Sequence, residues 1–498
     1  MVDVVLAWTD FVLDLSETLS DWPGEVYLVG GAVRDAILRR PIKDLDLVTP
    51  DSGLSLARTI ANHFRGDFYP LDESRDVGRA IVDTLDGRLI LDVSGLRAPD
   101  LNGDLADRDF TVNAIAVNLL GDMQVMIDPL HGADDLLKKT LRRCTPASLS
   151  NDPARVLRGI RQSVQFGLRI EPETLADLKA TASHLDQISV ERVRDELVKT
   201  LGLSKPVKAL RVADAIGALT TIIPELADLH GLAQGAPHVF DAWNHSLAVV
   251  EALNDICVTI GSTRSDETAA QFNLGMVAIG LDRFRTRMQQ RIEGVITDDR
   301  PHRSILLLAA LMHDVGKALV ESAPNAAGRK GFPGHSAAGA QAALGRLTAL
   351  RFSNAERKLV TSLVKNHMDG TLWRDDLNPV DIYRFWRELG EDGIDLILLI
   401  LADYLGTVGH AYDQDIWLRL IENAQTLLEA YFEKPDQLVD PPALVGGDSL
   451  MKILKLRPGP IIRDLLEAIR EGQVSGTVQS LEDAIQAART YLNNGHVE

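Results

Sequence analysis

The sequence predicts an α+β protein, an α/β head followed by an all-helical body. Three observations predict it. Short apolar runs of strand length alternate with helical segments up to about Leu136; beyond that point apolar residues recur at helical spacing; and Gly/Pro-rich stretches break the helical part at Gly231–Pro237 and Lys434–Pro442. In order, Glu25–Val29 reads as a strand, Ala32–Leu38 as a helix, and Asp44–Val48, Ala80–Thr84 and Leu89–Val93 as strands. Phe110–Leu119 is apolar enough to be a buried element. Val156, Leu157, Ile160 and Val164 then form one helical face, which Leu175, Leu178 and Leu185 continue. A second helical region runs from about His238 to Ala430, and a last helical segment ends near Leu492. The expected division is a head over 1–137, a helical neck over 138–235, a helical domain over 236–433 and a helical tail over 434–498.

Composition narrows the class. A chain of 498 residues, 45% hydrophobic and 25% charged, is ordinary globular protein with room for about three domains. Its two cysteines, Cys144 and Cys257, make neither a disulfide framework nor a zinc ligand set. The first residues lack the basic start of a signal peptide. The longest apolar run, Ile305–Met312, falls far short of the ~20 residues that a membrane helix needs. A soluble, cytoplasmic protein without membrane partners is expected. Net charge is −19, which opposes polyanion binding, yet Lys138, Lys139, Arg142, Arg143, Arg155, Arg158, Arg161 and Arg169 cluster with Asp152 as the only acid among them. Such a stripe guides a polyanion to one place; a solvated helix face explains the same charges.

The segment VYLVGGAVRDAILRRPIKDLDLVT carries the strongest chemistry. A strand runs into Gly30-Gly31 and a helix opens at once, so backbone can approach a phosphate and the first free N–H groups point at it. Arg34, one turn in, can bond the same oxygens. Glycines in a tight turn also have a purely steric use. What adds weight is Asp44-Leu45-Asp46: on a strand, i and i+2 face the same way, and two adjacent carboxylates call for a cation. A hard oxygen site open to water and phosphate is a magnesium site, and two such ions ~3.5–4 Å apart serve phosphoryl transfer.

GGAVRD, DLD, ADRDFTVNAIA (106–116), DPLHGADDL (128–136) and NDPARVLRGIR (151–161) resemble, in order, the motifs of class II CCA-adding enzymes and bacterial poly(A) polymerases. The resemblance covers roughly the first half of the chain. It implies a polymerase-β-like head in which Asp44 and Asp46 hold the metals and Asp92 is a third catalytic carboxylate. It also implies that Arg108 and Asp109 contact the triphosphate and ribose of the incoming nucleotide, and here Asp107 precedes Arg108 where the family more often has arginine.

The neck can be read physically. Asp152 and Arg155, at i and i+3, share a helical face. A carboxylate accepts from an exocyclic amine, and a guanidinium donates to a ring nitrogen. Cytosine and adenine both offer that pair, whereas guanine and uracil offer the reverse, so the two side chains would admit CTP and ATP without a nucleic-acid template. The family's EDxxR motif plays this role, with Asn151 here replacing the leading acid. Asp152 followed by Pro153 is equally a good helix cap. Arg158 and Arg161 continue the face, as phosphate contacts or as solvated arginines.

The helical region supplies His245 in WNHSL, His313-Asp314 in MHDVGK, His335 in PGHS, His367 in KNHMDG and Asp403 in LADYLG. An apolar helix ending in His-Asp is unusual in a core, where both groups need partners. Imidazoles with bridging carboxylates suit Mn, Fe, Co, Ni or Zn better than Mg. The order resembles HD-domain phosphohydrolases, many of them binuclear, with Lys317 as a candidate phosphate contact. The tail, LVGGDSLMKILKLRPGP, resembles the family's C-terminal segment, which implies a hold on the RNA body. Together these readings predict transfer of C and A from CTP and ATP to a tRNA 3′ end with release of pyrophosphate, plus an HD phosphohydrolase activity. The rivals are an A-adding, CC-adding or poly(A)-forming enzyme with the same head chemistry, and a protein that is mainly an HD phosphohydrolase.

Overall fold

The computed structural model describes residues 5–84, 87–261, 272–297, 300–324 and 330–493. The chain forms two compact units, Met1–Glu196 with Lys208–Ile222, and Leu197–Val207 with Ile223–Glu498. The first takes in the expected head and most of the neck, the second the later helices and the tail.

The first unit is built on a sheet of seven strands in the order β3-β4-β5-β2-β1-β6-β7. These are β1 (Tyr27–Val29), β2 (Asp44–Thr49), β3 (Asp67–Asp72), β4 (Val77–Thr84), β5 (Gly87–Gly95), β6 (Ala116–Asn118) and β7 (Met126–Ile127). Only β2 and β5 run parallel; the other neighbours are antiparallel. The alternation in DLDLVT does what strand geometry requires: Leu45 and Leu47 are fully buried, while Asp44 is exposed and Asp46 half-buried. Edge strand β3 was not foreseen, because Asp67–Asp72 is mostly solvent-facing and contains Pro70. The helix Gly53–His63 was not foreseen either; it buries Leu56, Ala57, Ile60 and Ala61, and the Ser52 side chain caps it. Phe110–Leu119 divides into a 3₁₀ turn, Thr111–Asn113, and strand β6.

Strand pairing does not end at Leu136 as expected. Thr140–Leu141 pairs in parallel with Arg169–Ile170, a ladder too short to leave an alternating pattern in the sequence. Ala154–Gln165 is the neck helix, with Val156, Leu157 and Ile160 inward. It lies so close to the head that a Cβ on Gly159 would come within 2.6 Å of the Phe110 ring, which is why head and neck are one compact body.

In the second unit the helices Ala242–Gly261 and Asp392–Val408 cross at Gly406, where a side chain would meet Val249 Cγ2 at 2.6 Å. The helix His302–Met312 is buried along its whole length. Its first residue is tied down: His302 Nε2 lies 2.9 Å from Asp395 Oδ1, and Arg291 donates to Asp395 Oδ2 at 2.7 Å. The expected linker after Lys434 contains a short helix, Pro435–Leu438. The tail helices Gly447–Leu454, Pro460–Val474 and Leu481–Asn493 share a core of Leu450, Leu465, Ile469, Ala484 and Ala488. No helix among the described residues is long and apolar enough to cross a membrane.

Candidate active sites

Strand β1 ends at Val29, and Gly30 turns the chain with φ 71°, a conformation that favours glycine, into the helix Gly31–Ile37. A Cβ on Gly30 would stand 3.0 Å from Arg108 Nη1 and 3.6 Å from Asp46 Oδ2, so turn, guanidinium and carboxylate converge on one place. Burial pushes the Asp46 carboxyl up, and Asp92 and Asp44 add to this, while Arg108 and Arg158 pull it down. Register sets Asp92 beside Asp46 across β2 and β5. Across the next ladder Arg79 faces Asp92 and donates to both its oxygens, at 2.7 and 2.9 Å. Sequence reading missed Arg79; the strand alternation that put Asp92 on this face was its available signal.

Arg108 and Asp109 are not paired with each other. Arg108 bonds Asp104 Oδ2 at 3.2 Å, and Asp109 Oδ2 lies 2.8 Å from Arg158 Nε. Asp109 is buried, which raises its pKa, yet Arg158, the Asn113 amide and the Phe110 N–H outweigh that and hold it below the ordinary carboxylate value. Arg34 is turned into the protein, donating to Asn113 Oδ1 at 2.6 Å and to Asp35, with its guanidinium over the Phe166 ring. It braces the glycine turn from behind, and the expected bond to a phosphate would require it to leave these partners.

At the start of the neck helix, Asp152 Oδ1 accepts from the Ala154 N–H at 3.2 Å, so the capping use is real. Its other oxygen accepts from Arg192 at 2.7 Å. Arg155 donates to three carbonyls, of Asp107 at 2.8 Å and of Arg108 and Ser148 at 3.1 Å, lashing neck to head. Both side chains border a cleft that Asp107, Asn151 and Arg192 also line. The basic stripe is largely neutralised by acids from elsewhere in sequence: Arg142 meets Asp135, Arg143 meets Asp177, and Arg161 meets Glu196.

The second unit gathers all six predicted ligands. The ligand atoms of His245, His313 and Asp403 lie within 4.8 Å of one another, as do those of Asp314, His335 and His367. Asp314 serves both groups: Oδ2 is 3.3 and 3.2 Å from His245 and His313 Nε2, and Oδ1 is 3.4 and 3.6 Å from His335 and His367 Nε2. Backbone carbonyls orient three rings, because Nδ1 of His313, His335 and His367 donates to Ala310, Phe332 and Val364 at 2.8, 2.7 and 2.7 Å. With Nδ1 committed to a carbonyl, Nε2 of His335 and Nε2 of His367 face each other 3.1 Å apart and are the atoms each ring would offer a metal. Asp314 Oδ1 and Asp403 Oδ1 are buried with no hydrogen-bond donor. The imidazole nitrogens and carboxylate oxygens of the two groups therefore make a donor set that fits metal ions. Burial pulls the His245 pKa down, but the carboxylates of Asp314 and Asp403 overcome this and push it up to about 9. Lys317 Nζ sits 2.5 Å from Asp314 Oδ2 and 2.6 Å from Gln234 Oε1.

The two sites are those of a nucleotidyltransferase head and of an HD domain on one chain. Residues 26–142 match the poly A polymerase head domain, 167–229 the probable RNA and SrmB-binding site of polymerase A, and 242–407 the HD domain. The A-adding tRNA nucleotidyltransferase of Deinococcus radiodurans is 32% identical over 94% of this chain and 95% of its own length. The CC-adding tRNA nucleotidyltransferase of Synechocystis is 26% identical over 94% of each. A solved structure of a CCA-adding enzyme in apo form shares the fold, with TM-score 0.62 at 18% identity over 97% of this chain and 93% of that one. The chain belongs to the tRNA nucleotidyltransferase family and is a nucleotidyltransferase.

Proposed function

We propose that the protein transfers CMP and AMP from CTP and ATP to the 3′ end of tRNA and releases pyrophosphate. The convergence of Gly30, Asp46 and Arg108 at the end of β1, with Asp44 on the same strand face as Asp46, carries the reading. Asp44 and Asp46 would hold magnesium, which supplies charge neutralisation for the attacking hydroxyl and the departing pyrophosphate. Gly31 and the first N–H groups of its helix receive phosphate oxygens; Arg108 and Asp109 hold triphosphate and ribose, and Arg158 keeps Asp109 ionised. Asp152 and Arg155 read the base edge at the cleft. The full-length A-adding relative favours a second product reading, in which A alone is added to an end already carrying CC. Incubating the protein with tRNA ending at the discriminator base or at CC, with CTP, ATP or both, and sequencing the 3′ ends decides between them. No extension of either tRNA would overturn the proposal.

We further infer that His245, His313, Asp314, His335, His367 and Asp403 hold transition-metal ions (Mn, Fe, Co, Ni or Zn), with which the second unit hydrolyses phosphate esters at RNA ends. Such ions supply a hydroxide at neutral pH. Lys317 receives the phosphate. Hydrolysis of p-nitrophenyl phosphate and of 2′- or 3′-phosphate-ended RNA, with each metal in turn, tests it. Two free cysteines and a tRNA substrate support a reducing cytoplasm as its location.

A further inference from the structure

Gly231–Pro237 reads in sequence as a boundary, but the fold ties it and the residues up to Asp241 to the metal-site helices. Asp241 Oδ2 accepts from the Gly231 N–H at 3.0 Å, closing the segment on itself. Asp241 O accepts from the N–H of the metal-site residue His245 at 2.9 Å, and the Val239 N–H donates to Thr407 O at 3.1 Å, one turn beyond Asp403. Gln234 accepts from Lys317, and Gly235 lies so near the Lys330 backbone that a Cβ would be 2.7 Å from its oxygen. The segment is thus pinned to two ligand-bearing helices and to the lysine beside Asp314.

It carries His238 against the site. The ring is half-buried, its centroid 5.0 Å from that of His245 at 78°. His238 is not in either ligand group. Its Nδ1 lies 3.0 Å from Gly235 O, and a carbonyl can only accept, so Nδ1 carries a proton and in the neutral ring Nε2 is the acceptor. No side chain or backbone group among the described residues donates to that Nε2. A half-buried acceptor held in place beside a phosphate-ester site, with nothing to accept from, is built for a donor on the substrate. Water-exposed edges aside, the donor common to RNA ends is the ribose hydroxyl next to the phosphate.

We propose that His238 accepts a hydrogen bond from the sugar hydroxyl adjacent to the scissile phosphate, so that the HD site selects ribonucleotide esters over esters lacking that hydroxyl. The proposal rests on the hydrolytic reading of the HD site. It makes His238 a specificity-determining residue on the substrate side, while the ligands and Lys317 act on the phosphate.

The test compares uridine 3′-phosphate with 2′-deoxyuridine 3′-phosphate, uracil being a base the head is expected to reject. Metal-loaded wild type should show kcat/KM about five- to tenfold higher for the ribo ester, one neutral hydrogen bond's worth. The same preference should appear in equilibrium binding of the two esters to protein loaded with catalytically inert metal. In His238→Phe the ratio should fall to about 1, and in His238→Gln, whose amide oxygen can accept, part of it should return. A ratio near 1 in wild type, or a His238→Phe variant that loses both esters in proportion, would overturn the assignment. Hydrolysis of p-nitrophenyl phosphate, which has no neighbouring hydroxyl, reports separately on the hydrolytic reading: if that substrate and both esters are untouched while binding still discriminates, the chemistry falls and the recognition stands.

Discussion

Arg79 holds both carboxylate oxygens of Asp92, at 2.7 and 2.9 Å, and the pair continues the row begun by Asp46 across three neighbouring strands. A guanidinium that occupies both oxygens competes with any cation for the same charge. If Asp92 is the third metal-side carboxylate, Arg79→Ala should move the midpoint of magnesium-dependent nucleotide addition to severalfold lower magnesium. An unchanged midpoint, with Asp92→Asn still active, would make the pair a purely structural tie.

Asp44→Ala and Asp46→Ala should each reduce nucleotide addition by roughly a thousandfold or more, since several kcal/mol of transition-state stabilisation depend on such an anchor. Asp46 is half-buried beside Arg108, so Asp46→Asn, which keeps the shape, is the cleaner variant. Circular dichroism and tRNA binding should stay near wild type. Retention of normal addition by either variant would dismiss the metal assignment.

Asp314 lies within reach of both ligand groups of the HD domain, so Asp314→Ala should lower the amount of bound transition metal and eliminate phosphate-ester hydrolysis. CTP and ATP incorporation should be unaffected. In wild type, nickel or manganese at about a hundred times its dissociation constant should stabilise the folded second unit by ~2.7 kcal/mol, an increment that a chelator removes. Elemental analysis and thermal melts with and without chelator measure both; a melt indifferent to metal would contradict the site.

Base choice separates two uses of Asp152. Asparagine caps a helix about as well as aspartate. Asp152→Asn therefore keeps the bond to the Ala154 N–H but loses the charge that meets Arg192. Its amide can also turn a donor toward a base carbonyl. Incorporation of UTP or GTP should rise relative to CTP and ATP in single-nucleotide assays. Arg155→Ala should relax selectivity as well, and in addition destabilise the first unit, because three carbonyls of Asp107, Arg108 and Ser148 lose their donor. Unchanged preference in both variants returns this helix to a structural role.

Asp395 is fully buried; burial would raise its pKa, but His302 and Arg291 hold it below the ordinary value. A carboxylate whose folded pKa is depressed contributes stability that is complete above its unfolded pKa of about 3.9 and is lost as pH falls through the folded value. Urea midpoints of wild type should therefore drop between about pH 4 and lower values by more than those of Asp395→Asn. At pH 7 that variant should cost about 3–5 kcal/mol, as the loss of one partner from a buried ion pair does. Parallel acid limbs for the two proteins would refute the linkage.

Local pattern carried much of this protein. The alternation in Asp44–Thr49 fixed which side chains face outward, because strand period is a property of the backbone. The turn at Gly30-Gly31 and the series His245, His313-Asp314, His335, His367 and Asp403 were legible because their chemistry has few other uses at such positions. Pairing in space was not legible. Nothing in the order of residues shows that Arg142, Arg143 and Arg161 meet Asp135, Asp177 and Glu196, which turns a basic stripe into a set of local ion pairs. Likewise Arg79 reaches Asp92 only through sheet register, and Arg192 reaches Asp152 across 40 residues of chain. The sequence reading begins its second helical region at about His238, whereas the fold holds His238 in a segment pinned beside His245, ahead of the helix Ala242–Gly261. Sequence determined which residues could do chemistry, since residue type and local period are written in it; only the tertiary structure decided which charges cancel and which remain for a substrate, because ion pairing falls with distance and distance is set by the fold.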